Sequence, residues 1–283
     1  YRLNMDDIIL LTACINPGGM PFTVVSDATQ RLNQYLLALQ FYLQNTSCPI
    51  VFVDNSNMDK TPFLEYESQY GTRLEILSFD GNKVKTQGKG LGEMEIIEYA
   101  LIHSKFNLLL DKHRIVKITG RLIVRNINSL LKCDKWHLYP YKSIVCHVNS
   151  DLTFADSRIF ISLGSFMNLL VKQKKYLNDT KGIYFEHLLC QQIKQQKTFT
   201  FFPFITEPHF EGISGSTGIK YEKPNTSLLY KLRYLNFQMG VQKQIFCEND
   251  SCSKRLLFRV ICMVITYMSS LLIKILQYKT KEL

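Results

Sequence analysis

A short apolar run, Arg114-Ile115-Val116-Lys117-Ile118-Thr119-Gly120-Arg121, ends among cations. It reads as a buried strand followed by a turn that carries Lys117, Thr119 and Arg121. Ligands of open α/β sheets bind outside the carboxyl ends of strands. Fixed cations there suit an anion, a diphosphate above all, and arginine can meet phosphate bidentately. The opposing reading is that both cations are solvated or pair with surface acids. A second group lies in Ile50-Val51-Phe52-Val53-Asp54-Asn55-Ser56, where Asp54 and Asn55 end another apolar run. A carboxylate in that place can accept from hydroxyl or N–H groups of a ligand, or merely cap a turn. A third is Gln87-Gly88-Lys89-Gly90-Leu91-Gly92-Glu93, just before a helical pattern. Glycines allow close backbone approach, and a helix N-terminus offers N–H groups to an anion. Glu93 also suits the first turn of that helix electrostatically. The stretch is neither a Walker loop, which needs Gly-Lys-Ser/Thr, nor a dinucleotide fingerprint, whose third glycine is missing.

Further along stand Asp156-Ser157-Arg158, Glu186-His187 and the loop Gly212-Ile213-Ser214-Gly215-Ser216-Thr217-Gly218. Asp156 and Arg158 could bind a substrate or pair with each other. Ser214 and Ser216 lie in a loop whose backbone freedom suits closure over a bound ligand, against the plainer reading of a solvated turn. Ser216 stands where a hydrolase elbow needs its last glycine. The six histidines fall at no metal-ligand spacing, so no metal site is expected.

The elements that must position these residues alternate. Residues 7–14, 48–53, 74–78 and 115–118 read as strands, apolar without alternation as in a parallel sheet covered on both faces. Residues 27–43 and 93–104 carry helical spacing between them. Thr12 falls near the end of the first strand, within reach of whatever the others bind. Residues 136–161 are strand-like and mixed, 166–176 and 182–195 helical, and 199–205 an aromatic strand. The order predicts an α/β fold with a mostly parallel central sheet, helices on its faces and right-handed crossovers.

The formal net charge of +10 favours anionic partners or simply solubility. The eight cysteines are scattered without a Cys-x-x-Cys, which points to reduced thiols rather than a disulfide framework or zinc site. From 222 onward lysine and arginine recur, and a 14-residue uncharged run, Val260 to Ile273, is flanked by Arg259 and Lys274. It is shorter than the roughly 20 residues that span a bilayer. A helix of that kind could lie in an anionic membrane interface or pack on the domain.

Taken together, the strand ending in Asp54, the segment Lys89-Gly90-Leu91-Gly92-Glu93, the sequence Lys117-Ile118-Thr119-Gly120-Arg121, Phe185-Glu186-His187 and the 212–218 loop resemble GT-A glycosyltransferases. The likeness is to the bacterial enzymes of capsule and lipopolysaccharide O-antigen gene clusters, and it covers about residues 6–221. It implies a catalytic domain over 1–221 and a basic helical tail over 222–283. It implies that Thr12, Asp54, Asn55, Gly90, Glu93, Lys117, Thr119, Arg121, Ser214 and Ser216 face a nucleotide-sugar donor. Glu186, or else His187, would be the base, and Asp156 and Arg158 would meet the acceptor. Most relatives carry metal carboxylates where this chain has Lys117 to Arg121, and no carboxylate lies between Arg114 and Arg125. Cationic side chains would then take over the metal's task of neutralising the departing diphosphate, and no cofactor is expected.

The expected activity is transfer of a sugar from a nucleotide donor to a glycan or lipid-linked acceptor. The expected location is cytoplasmic, peripheral at the inner membrane face, with the tail on anionic lipid. A sugar nucleotidyltransferase is the alternative, although residues 15–21 lack the basic side chain its first loop would need. A nucleic-acid binder is the third class, and no interleaved basic and aromatic module supports it.

Overall fold

The strands β1 (Asp7–Ala13), β2 (Ile50–Asp54), β3 (Leu74–Ser78) and β4 (Arg114–Thr119) lie side by side and parallel in a computed structural model of the protein. The structure describes residues 7–20, 23–84, 87–135, 141–222, 225 and 227–248. The apolar run 260–273 and the rest of the tail beyond 248 lie outside the described residues.

Later strands are β5 (Ile123–Val124), β6 (Ser143–Val145), β7 (Ile159–Leu163), β8 (Thr200–Phe202) and β9 (Phe210–Glu211). The main sheet has seven strands in the order β3-β2-β1-β4-β7-β6-β8. β7 runs antiparallel to β4 and β6, while β6 and β8 are parallel. β5 and β9 form a separate two-stranded ribbon. The α/β class and the mostly parallel sheet with helices on its faces match the sequence reading, and a helix ends the described chain.

Both faces of the sheet are buried, which explains why its strands show no alternation. Successive side chains of a strand point to opposite faces. Ile8, Leu10, Val51, Val53 and Ile115 join one apolar cluster, and Ile9, Leu11, Ile50, Phe52, Val116 and Ile118 join the other. The first face is covered by α3 (Lys89–His103), α5 (Gly164–Val171), α6 (Phe185–Gln195) and α7 (Leu228–Glu248). The second is covered by α1 (Ala28–Asn45) and α4 (Ile127–Lys135), while the short α2 (Leu64–Tyr70) sits beside β3. Fully burying each such aliphatic side chain contributes about 1.5–3 kcal/mol. Among the described residues no helix is long and apolar enough to cross a membrane.

Three local differences from the sequence reading have physical causes. α1 starts at Ala28 because the Asp27 carboxylate accepts from the Gln30 N–H at 2.6 Å, an N-cap. α5 stops at Val171, five residues short of the expected end, and the chain continues only as a 3-10 turn over Lys174–Tyr176. α3 begins four residues before Glu93, with Gly90 and Gly92 inside it. Its N-terminus is capped by a distant side chain, Asp179, whose Oδ2 accepts from the Gly90 N–H at 3.1 Å. Glu93 therefore sits in the second turn, away from the dipole end assigned to it.

Candidate functional site

The carboxyl ends of β1, β2 and β4 open into a cleft of about 510 Å³. One side is built by Thr12, Cys14, Asn55 and Asn82. Glu93 from α3 and Thr119 from β4 line the cleft as well. So do Phe154, Ser157, Arg158, Tyr184 and Glu186, together with Lys89, Arg121 and the loop Ser214 to Ser216. Ten of the expected residues line this one cleft: Thr12, Asn55, Gly90, Glu93, Thr119, Arg121, Arg158, Glu186, Ser214 and Ser216.

The other four do not line it. Asp54 is fully buried, and its carboxylate is spent on its own turn. Oδ1 accepts from the Ile15 N–H at 2.8 Å and Oδ2 from the Ser56 N–H at 2.8 Å, with the Ser56 hydroxyl bonded as well. Asp54 thus shapes the loop after β1 rather than touching a ligand, and the neighbouring Asn55, itself buried, lines the cleft. The Asn55 amide donates to Asn82 Oδ1 at 2.9 Å and receives from Asn82 Nδ2 at 3.1 Å.

Lys117 is also fully buried. On β4 it has the parity of Ile115, so its side chain runs under α3 and not out of the strand end. Its ammonium donates to Glu93 Oε1 and to the Ser157 carbonyl at 2.5 Å. The Thr12 hydroxyl donates to the same Glu93 oxygen at 3.0 Å, and the Ser157 hydroxyl donates to Glu186 Oε1 at 2.6 Å. Lys117 is therefore the buried tie between two cleft carboxylates, not a phosphate ligand.

His187 lies one position past the cleft. Its Nδ1 accepts from the Tyr184 N–H at 3.3 Å, which caps α6. Asp156 holds Arg158, accepting from Nε at 2.9 Å and Nη2 at 2.7 Å. The guanidinium lies 4.1 Å from the Phe210 ring centroid and 5.1 Å from that of Tyr221. Burial works against the Arg158 charge, but the Asp156 carboxylate outweighs it and raises the pKa. The pair is an internal one, and Arg158 alone of the two reaches the cleft.

The charged groups that do face the cleft are strained by burial. Burial lowers the Arg121 guanidinium from its ordinary value, and Arg31 nearby adds to this. Burial lowers the Lys89 ammonium too, with the Asp179 carboxylate working against the shift. Burial raises Glu186 above the usual carboxylate range, although the Ser157 hydrogen bond opposes it. The loop over the cleft is bound to these cations: Lys89 donates to the Ser216 hydroxyl, and Arg121 donates to the Ile213 carbonyl. Gly215 lies against Arg121 so closely that a Cβ there would stand 2.3 Å from Nη2. The site thus gathers two desolvated cations and a carboxylate whose hold on a proton is strengthened by burial. Among the described residues no three His, Cys, Asp or Glu side chains converge as metal ligands would.

Several cleft residues had no assigned role in the sequence. Lys89 stood between two glycines that drew attention to themselves. Arg31 lies in the middle of α1 and reaches Cys14 O with Nε at 2.7 Å and Val25 O with Nη1 at 3.0 Å. Asp179 comes from a turn far along the chain and carries no local signal.

No protein-family model matches the chain, and no curated protein does. Among solved structures it is similar to a protein of Bacillus anthracis described as a glucose-1-phosphate thymidylyltransferase, in complex with a sucrose. The two share 13% identity over 73% of this chain and 89% of that one, with a TM-score of 0.41.

Proposed function

We propose that the protein is a glycosyltransferase that takes a sugar from a nucleotide-sugar donor. The observation that carries this reading is Glu186, a carboxylate raised by burial, in the same cleft as the desolvated cations Lys89 and Arg121. A diphosphate entering that cleft would exchange places with the Ile213 carbonyl and the Ser216 hydroxyl on those cations. The acceptor hydroxyl then attacks the anomeric carbon, and its proton passes to Glu186. The bond from that carbon to the diphosphate breaks, the electron pair leaves with the nucleoside diphosphate, and Arg121 and Lys89 stabilise its charge. Lys117 keeps Glu93 and, through Ser157, Glu186 in place. In this reading the cationic side chains, with no divalent ion, neutralise the leaving group. The acceptor is a glycan or lipid-linked oligosaccharide of surface polysaccharide synthesis, and the protein works at the inner membrane face.

Nucleotidyl transfer is the second reading. The loop after β1 has no basic residue of its own, but Arg31 brings a guanidinium against Cys14 and supplies one beside that loop. One screen separates the two. Purified protein is incubated with a panel of nucleotide sugars, or with nucleoside triphosphates plus sugar 1-phosphates, each with and without EDTA. Release of nucleoside diphosphate from one donor, unaffected by EDTA, is expected. Pyrophosphate release from a triphosphate pair would move the assignment to nucleotidyl transfer. Loss of activity in EDTA with recovery on Mn²⁺ would overturn the metal-free mechanism.

A further inference from the structure

Between α5 and α6 the chain makes a short excursion whose surface differs from the rest of the rim. The 3-10 turn Lys174–Tyr176 leads to a bridge in which Asn178 and Ile183 exchange N–H···O bonds, both 3.0 Å long. Leu177 and Phe185 anchor the base of the excursion in the core, each 1% exposed. Tyr176, Ile183 and Tyr184 turn outward and are 54%, 39% and 40% exposed. Lys172, Lys175 and Lys181 are exposed on the same excursion. Among the described residues no carboxylate pairs with these three, whereas Lys174 is bound to Glu98. Asp179, the one acid between 172 and 185, is turned inward to cap α3. The outer surface of the excursion is therefore cationic and apolar together, and Tyr184 belongs to both this surface and the cleft mouth.

A solvated charged turn has no use for three exposed large apolar side chains. A protein partner with an acidic surface would answer the lysines but not the tyrosines flanking them. An anionic bilayer surface answers both: tyrosine rings settle at the headgroup level and lysines reach the phosphates. We propose that residues 172–184 form a docking surface for an anionic phospholipid membrane, which brings the cleft mouth to the bilayer. The site is separate from the basic tail and does not depend on the assigned chemistry.

The test uses the full chain with vesicles of phosphatidylcholine, with or without phosphatidylglycerol whose acyl chains are brominated to quench tryptophan. Tyr176→Trp and Ile183→Trp are the reporters, read against the Trp136 background of the parent protein. Both reporters should be quenched by the anionic vesicles, and less so as salt is raised. Each lysine near an anionic surface strengthens binding roughly fivefold, so K172E/K175E/K181E should weaken the reporter quenching more than 100-fold. The milder triple Lys→Gln variant should fall between. Co-sedimentation with both reporters unquenched would place membrane contact on another segment and overturn the proposal. Absence of any vesicle binding by the full chain, or quenching indifferent to the lysine changes, would overturn it equally.

Discussion

Glu186 carries opposed demands in one side chain. Burial raises its pKa, so the folded protein holds that proton more tightly than the unfolded chain. By linkage its contribution favours folding below the unfolded value and is lost as pH rises through the folded one. At the pH where the proposed mechanism uses it as a base, that contribution is absent. Glu186→Gln keeps an oxygen to accept from Ser157 and removes the buried charge. Its melting temperature at neutral pH should equal or exceed that of the parent, while sugar transfer falls about 10²–10⁴-fold. In the parent, transfer should rise with pH through a limb displaced above the ordinary carboxylate range. A variant that lost stability along with activity would point to a packing role instead. Residue types were legible here in a way that orientation was not. Lys117 and Arg121 looked equivalent in the sequence, yet strand parity sends one under α3 and the chain's turn sends the other into the cleft. Asp54 was likewise read as a ligand-facing acid, and only the surrounding N–H groups show that its valence is consumed.

Elements were easier to foresee than their ends. The strands that later proved to be β1 to β4 announced themselves as uninterrupted apolar runs, because a sheet covered on both faces leaves no polar side to write into the sequence. The start of α3 was hidden, because the carboxylate that caps it lies 89 positions away from Gly90. That long-range cap makes a specific demand on Gly88, which adopts φ of 90°. A Cβ on Gly88 would also stand 2.3 Å from Asp179 Oδ2. Gly182 also has a positive φ, 76°, but lies in the left-handed helical region, whereas Gly88 with ψ of −173° lies where essentially only glycine goes, and Gly182 has open space where its Cβ would be. Gly182→Ala should therefore cost only the conformational term, about 1–2 kcal/mol. Gly88→Ala should cost more, through its glycine-only backbone and the displacement of Asp179, and chemical denaturation should find it clearly the less stable of the two. Equal losses would mean that Asp179 moves aside freely and does not hold α3 to the turn before α6.

At the scale of the whole molecule the sequence reading sets a basic, partly amphipathic tail over 222–283 beside the catalytic domain and leaves open whether that tail packs on it. Within that stretch α7 lies against β8 and adds Val241 and Ile245 to the same buried cluster as Leu189 and Phe201. Its buried Gln242 donates to the Phe201 carbonyl at 2.8 Å, and Gln238 meets His147 at 3.1 Å. Those buried amides dilute the hydrophobic pattern of α7 in the sequence. They also serve the sheet, because β8 is its last strand and Phe201 would otherwise leave an edge carbonyl without a partner. If α7 is part of the core, changes within it must move the unfolding of the entire domain. Val241→Asp places an unpaired carboxylate among apolar side chains, which costs several kcal/mol. Gly240 has nothing within 4 Å of its missing Cβ, so Gly240→Ala removes a helix-interior glycine without crowding and should add about 0.8–1 kcal/mol. Calorimetry should show one transition that falls steeply with the first substitution and rises by a few degrees with the second. A main transition that ignored both, with a separate weak one that followed them, would return α7 to the tail.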